Sequence, residues 1–188
     1  DNNNLTSVKD ALNNVTTFTY NCLNQLVVVK DAKNNEKRFA YDALGRCTTV
    51  TDARNNVFTT MYDANGNVIK VIDAKNNTVK ETEYNCLNLP TKVTDATGKY
   101  ITYSYNALGK VYQIVDSMNH TTTFSYNSRG QKTSVVDALD NESTATYDEL
   151  GKVTSLTGPL GATTTYTYDD MGKLTSKSTT SGGTVSYT

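Results

Sequence analysis

YDALGRCTTVTDARNNVFTTMYD (residues 41–63) holds one full period of this chain and the opening of the next. Tyr41 is followed by Asp42 and, four residues on, by Gly45; Tyr62 starts the same figure again with Asp63 and Gly66. Working outward, a tyrosine followed by Asp or Asn stands at Tyr20, Tyr41, Tyr62, Tyr84, Tyr105, Tyr126, Tyr147 and Tyr168. The step is 21 residues, except for one of 22 between Tyr62 and Tyr84. A fixed period of this size marks a repeat architecture, in which each unit buries apolar surface only against its neighbours.

Each period contains two turns. Four residues after the tyrosines come Gly45, Gly66, Gly109, Gly130, Gly151 and Gly172, with Asn24 and Asn88 standing in twice. Gly and Asn accept positive φ at little cost, which predicts a tight turn. Seven residues beyond lies Asp10, Asp31, Asp52, Asp73, Asp95, Asp116 or Asp137, with Gly158 once. Three residues later the chain again asks for a left-handed residue: Asn13, Asn34, Asn55, Asn76, Gly98, Asn119, Asp140 and Gly161.

The segments between turns have strand chemistry. Before each tyrosine, an aromatic or small residue two positions back (Phe18, Phe39, Thr60, Thr82, Tyr103, Phe124, Ala145, Tyr166) alternates with hydroxyl-rich positions such as Thr17 and Thr19. Such period-two alternation predicts a half-buried strand. After the glycine turn, apolar residues recur at Gly+2 and Gly+5, as in Val68 and Val71. That offset of three fits either a bulge or one apolar residue on each face. The additional residue between Asp73 and Tyr84 predicts a further bulge.

The fold class expected is therefore all-β: a continuous antiparallel sheet of β-hairpin repeats, about nine units over 1–188, curling into a spiral or tube because sheets twist. No separate domain or capping unit is expected, and an array that starts and stops inside repeats, with Asn3 at a glycine position and Val185 and Tyr187 leading toward a next tyrosine, reads as an open-ended fragment.

Composition narrows the function. Lys plus Arg is 18 against 19 for Asp plus Glu, so no net field favours nucleic acid. No apolar run reaches the roughly 18 residues that span a bilayer, and the opening DNNNLTSVKD has no secretion-signal pattern. Neither nucleic-acid binding nor membrane insertion is expected.

The stretch 41–63 and its recurrence along 1–188 resemble the RHS or YD repeat, with its Tyr-Asp turn, Gly-Arg or Gly-Asn step and later Asp-x-x-Gly/Asn turn. The resemblance implies a large secreted or surface-exposed bacterial polypeptide, related to animal teneurins, whose β-hairpin strip spirals into a hollow shell. In toxin members that shell encloses a C-terminal toxic domain, released by autoproteolysis at a DPxGL motif that this sequence lacks. The expected function is a non-catalytic wall segment, partnered by further copies of the same repeats and by an enclosed toxin domain. Two alternatives stay open: an extracellular filament or appendage of the same repeats, and an adhesin segment with a glycan-binding face.

No catalytic, cofactor or metal site is assigned. Each turn offers about one carboxylate, and neighbouring repeats lie about 10 Å apart, too far to share an ion. His120 has no nucleophile placed beside it by the pattern. Cys22 and Cys86 fall three repeats apart, beyond disulfide reach of each other, and Cys47 reads as a small buried hydrophobe. The residues singled out are the repeat tyrosines and glycines named above, as structural positions.

Overall fold

Alternation decides the local structure. In Val15–Tyr20 the residues Thr16, Phe18 and Tyr20 are half-buried while Val15, Thr17 and Thr19 are exposed, the pattern of a strand with one protected face. A computed structural model describes residues 4–180 and 182–187. These contain strands and turns and no helix, so no helix is long and apolar enough to cross a membrane. The residues fall into two compact units, one ending at Lys99 and the other starting at Tyr100. Asn3, expected at a glycine position, lies outside the described residues.

The first unit is an antiparallel meander of β1 (Ser7–Lys9), β2 (Val15–Tyr20), β3 (Leu26–Lys30), β4 (Glu36–Tyr41), β5 (Cys47–Thr51), β6 (Val57–Tyr62), β7 (Val68–Ile72), β8 (Thr78–Tyr84) and β9 (Pro90–Asp95). The second repeats the plan with β10 (Tyr100–Tyr105), β11 (Val111–Asp116), β12 (Thr121–Tyr126), β13 (Lys132–Val136), β14 (Glu142–Tyr147), β15 (Val153–Thr157), β16 (Thr163–Tyr168), β17 (Leu174–Thr179) and β18 (Gly182–Ser186). The expected all-β class, with two strands per 21-residue period, is what the chain adopts. The eight repeat tyrosines end the even-numbered strands from β2 to β16.

The open question of the Gly+2 and Gly+5 positions resolves to a bulge. Opposite Tyr20 stands Leu26, but opposite Thr19 stands Val28, so Val27 is the extra residue. The same skip occurs beside Tyr41, Tyr62, Tyr84, Tyr105, Tyr126, Tyr147 and Tyr168. Skipping one residue turns an offset of three into an offset of two, and Val29 faces Phe18 across the same side on which Leu26 faces Tyr20. The 22-residue period is absorbed by a second skip, between Val71↔Lys80 and Ile72↔Thr78, which leaves Val79 unpaired.

A single layer of sheet has no interior. Among the described residues no hydrophobic side chain is fully buried, and Thr82, at 6% exposure, is the one buried residue. This corrects the reading of Cys47 as buried: it is half-exposed opposite Tyr41, and its Sγ lies 3.5 Å from the Thr49 carbonyl. Cys22 and Cys86 are exposed free thiols.

Candidate functional site

Polar side chains concentrate in the turns, and the turns opened by the residues from Asp10 to Asp169 share one main-chain plan. At Asp52 the backbone N–H of Asn55 donates to the Asp52 carbonyl (3.0 Å) and the Asp52 N–H donates to the Asn56 carbonyl (2.9 Å). Asn55 takes φ 61°. This is a type I turn closed by a left-handed residue, a three-residue hairpin loop. At Asp42, within the tyrosine turn, the same two bonds are 3.0 Å each and Gly45 takes φ 82°. Among the described residues, positive φ falls at every one the sequence pattern nominated, eight glycines and eight Asn or Asp residues.

The residue after each tyrosine is thus the counterpart of the aspartate in the other turn. The Oδ1 of Asp42 accepts from the N–H groups of Leu44 (2.9 Å) and Arg46 (3.0 Å), as Asp52 Oδ1 accepts from Arg54 (2.8 Å) and Asn56 (2.9 Å). Asn21, Asn85, Asn106 and Asn127 make the same pair of bonds without a charge. Gly158 cannot, but Pro159 follows it at the position where proline presets a type I turn, and both main-chain bonds form at 2.9 Å.

In turns where an Asp is followed four residues on by Asn, Arg or His, that side chain latches a carboxylate oxygen, as at Asp10, Asp31, Asp42, Asp52, Asp63, Asp73, Asp116 and Asp137. Asn35 Nδ2 donates to Asp31 Oδ2 at 2.8 Å, Asn56 Nδ2 to Asp52 Oδ2 at 2.8 Å, and Arg46 Nε to Asp42 Oδ2 at 2.7 Å. His120 occupies this position and no other kind of site: its Nδ1 lies 2.9 Å from Asp116 Oδ2. These bonds hold the carboxyls below the usual carboxylate range, led at Asp31 and Asp52 by the Asn side chain and at Asp116 by the His120 N–H. Among the described residues no three His, Cys, Asp or Glu side chains converge as metal ligands.

Tyrosine hydroxyls join one repeat to the preceding one. Tyr20, Tyr41, Tyr62, Tyr126, Tyr147 and Tyr168 donate to the carbonyls of Leu5, Leu26, Cys47, Val111, Lys132 and Val153 over 2.7–3.1 Å, each 15 residues back. The ladder between β3 and β4 has only three residue pairs, ending at Val28↔Arg38, and Tyr41 Oη reaches past that end to Leu26. Tyr84 keeps the bond across the longer period, reaching Val68 16 residues back at 3.1 Å. The insertion bulges out at Val79 while the hydroxyl contact stays.

Tyr126→Phe leaves the Val111 carbonyl without its 2.7 Å donor. The expected loss is about 0.5–1.5 kcal/mol, the net worth of an ordinary hydrogen bond, read from urea unfolding of the two proteins. An unchanged midpoint would remove the hydroxyl from the account.

Adjacent glycine turns also touch. Arg46 reaches forward to the Asp63 carbonyl (2.8 Å) with its guanidinium 4.7 Å from the Tyr62 ring centre, and Gln131 Nε2 donates to the Gly151 carbonyl (2.9 Å). A Cβ at Gly151 would stand 3.0 Å from that Gln131 nitrogen, so the glycine column serves close approach as well as positive φ.

Turns and staples that recur in register define a β-hairpin repeat strip of the kind that builds protein walls. The family description Teneurin YD-shell fits residues 6–154, and RHS Repeat fits residues 147–185. The chain belongs to this family of RHS and YD-shell repeat proteins, a structural family whose members are secreted or surface-exposed. No curated protein matches it. Among solved structures it is similar to TcdB2-TccC3-TEV, at 21% identity and TM-score 0.52, covering 89% of this chain and 9% of that one. TcdB2-TccC3 without its hypervariable C-terminal region is similar at 21% identity and TM-score 0.50, with coverage of 89% and 9%. The likeness is one of fold, and the chain spans about a tenth of the length of these structures.

Proposed function

We propose that this chain is a non-catalytic length of wall in a secreted or surface protein, and that with further repeats of its kind it forms part of a shell around a toxic domain. The carrying observation is uniformity. The repeat tyrosines and glycines act as structural positions, turn carboxylates accept from main-chain N–H groups at equivalent places, and phenolic hydroxyls donate to main-chain carbonyls of the preceding repeat. An active site instead needs a constellation that differs from its surroundings. The array is read as one strip over 1–188. Membership of the YD-shell family supports the shell, and enclosure of cargo is carried over from the family resemblance.

Tyr105→Phe and Asp116→Asn are expected to change thermal stability slightly and to abolish no reaction. Purified chain incubated with peptide, glycan and nucleotide substrates should hydrolyse none of them. Hydrolysis lost on substituting one residue would overturn the non-catalytic reading. Enclosure is tested on the protein that carries this segment: a C-terminal domain should survive added protease and become sensitive once repeats are deleted. Equal sensitivity with and without the deletion contradicts the shell.

A further inference from the structure

Asn65–Gly66 is the one Asn-Gly step in the sequence, and both residues are exposed in the turn that follows Tyr62. A peptide nitrogen can attack the side-chain carbonyl of the asparagine before it, and glycine leaves that approach open because it carries no Cβ. Elsewhere the chain ties this nitrogen down. Each of the seven asparagines at positive φ is followed by an N–H that donates to the turn-opening Asp or Asn side chain at 2.8–3.0 Å. The Gly66 N–H instead donates to the Asp63 main-chain carbonyl at 3.2 Å, the longest turn-closing bond among the described residues. Of the bonds that hold the Asp63 carboxyl below its ordinary range, the Asn67 side chain leads and the Gly66 N–H comes last. Arg46 Nη1 donates to the same Asp63 carbonyl at 2.8 Å and lies 3.8 Å from where a Gly66 Cβ would stand. The guanidinium thus competes with Gly66 for its acceptor and sets a positive charge beside the nitrogen.

We propose that Asn65–Gly66 is a self-modification site whose only other reactant is water, and that Arg46 promotes the reaction. The Gly66 nitrogen loses its proton to hydroxide and bonds to Asn65 Cγ. The bond from Cγ to Nδ2 breaks, Nδ2 takes a proton from water, and ammonia leaves a cyclic imide behind. Water then adds to one of the two imide carbonyls and that carbon's bond to nitrogen breaks. Attack at the side-chain carbonyl gives aspartate, and attack at the main-chain carbonyl gives isoaspartate; nothing is oxidised or reduced. The Arg46 charge favours the negative charge that builds on the Gly66 nitrogen as its proton leaves. The product alters the contact between neighbouring turns. Asn88 Oδ1 accepts from Asn65 Nδ2 at 3.0 Å and from Asn67 Nδ2 at 2.8 Å. Conversion removes the first donor and sets a carboxylate against an acceptor oxygen, and the isoaspartyl form also lengthens the main chain inside the turn.

Incubating the whole chain in mildly alkaline water enriched in heavy oxygen tests the site. Trypsin in ordinary water, cutting after Arg54 and Lys70, then releases residues 55–70, and fragment masses show which carboxyl carries the label. Label should build up at position 65, partly as isoaspartate, and outpace any at Asn34, Asn55 and Asn76. Asn65→Leu, the residue that Leu44 and Leu108 supply in equivalent turns, should bring the peptide down to the level of those turns. Arg46→Gln, the residue that Gln25 and Gln131 supply at the same place, should slow conversion about fivefold, the worth of a unit charge about 4 Å away in water. Arg46→Lys keeps the charge and should keep most of the rate. Circular dichroism checks that each variant keeps its β signal. An unlabelled position 65 in the unchanged chain, or label spread equally over the turn asparagines, overturns the site. A rate unchanged by Arg46→Gln, or slowed equally by both Arg46 variants, overturns the part given to Arg46.

Discussion

Gly66→Val lowers the unfolding free energy by about 1–3 kcal/mol, the cost of holding a branched side chain in a left-handed conformation. Gly66 sits at φ 92°, the most positive value among the turns, and its N–H closes the turn on the Asp63 carbonyl. The side chain of Arg46 lies 3.8 Å from where a Cβ would stand, so room is not the obstacle. Backbone strain is. The chain contains its own controls, since Asn24 and Asn88 fill the equivalent position at φ 61° and 60°. Gly66→Asn should therefore cost less than Gly66→Val, and Asn88→Gly should be tolerated. Thermal and urea unfolding of the three variants give the order, and a neutral Gly66→Val would remove the turn assignment.

Acid should unfold this strip progressively, and three substitutions should blunt the effect. Hydrogen bonds to the carboxylate hold Asp10, Asp31, Asp42, Asp52, Asp63, Asp73, Asp95, Asp116 and Asp137 below their ordinary range. A folded-state pKa depressed below the unfolded one means that the unfolded chain binds protons first. The stabilisation is then complete above about pH 4, the ordinary aspartate range, and is lost as pH falls through the depressed values. Melting temperature should be flat from pH 7 to about 5 and fall steeply below about 4. Asn does the same turn work without titrating: Asn21 Oδ1 accepts from Leu23 and Gln25, and its Nδ2 donates to Gln25 Oε1 at 2.7 Å. A variant with Asp31→Asn, Asp52→Asn and Asp73→Asn should lose less melting temperature between pH 7 and pH 3 than the unchanged chain. Equal losses would show that the acid sensitivity lies elsewhere.

The turns were legible in the sequence because positive φ leaves few residue choices. Gly, Asn and once Asp mark the left-handed positions as clearly in the letters as in the backbone. The recurring bulge was not legible, since Leu26 and Val29 have the same spacing whether the strand skips Val27 or turns one apolar residue to each face. The tyrosine staple was hidden for a different reason. Its acceptor is a main-chain carbonyl, borne by Leu5, Cys47, Val68 or Lys132 without distinction, so no side-chain pairing records it. Only the constant offset of 15 residues, stretching to 16 with the longer period, could have revealed it. His120 looked singular as the one histidine, yet it stands where Asn35 and Asn56 stand and latches its aspartate as they do. Among the described residues, the absence of any fully buried apolar side chain follows from the single layer, which periodicity in the sequence does not distinguish from a packed pair of sheets.

Deleting residues 106–126 removes β11 and β12 and joins Tyr105 to Asn127, which keeps the tyrosine-Asx step intact. In a repeat strip, stability is close to a sum over units and their nearest interfaces. The shortened chain should therefore keep the same β-sheet circular-dichroism signal per residue and unfold in a transition close to that of the parent. Loss of the β signal on this deletion would mean that one global core holds the fold, and would contradict the reading of each period as a physical unit of wall.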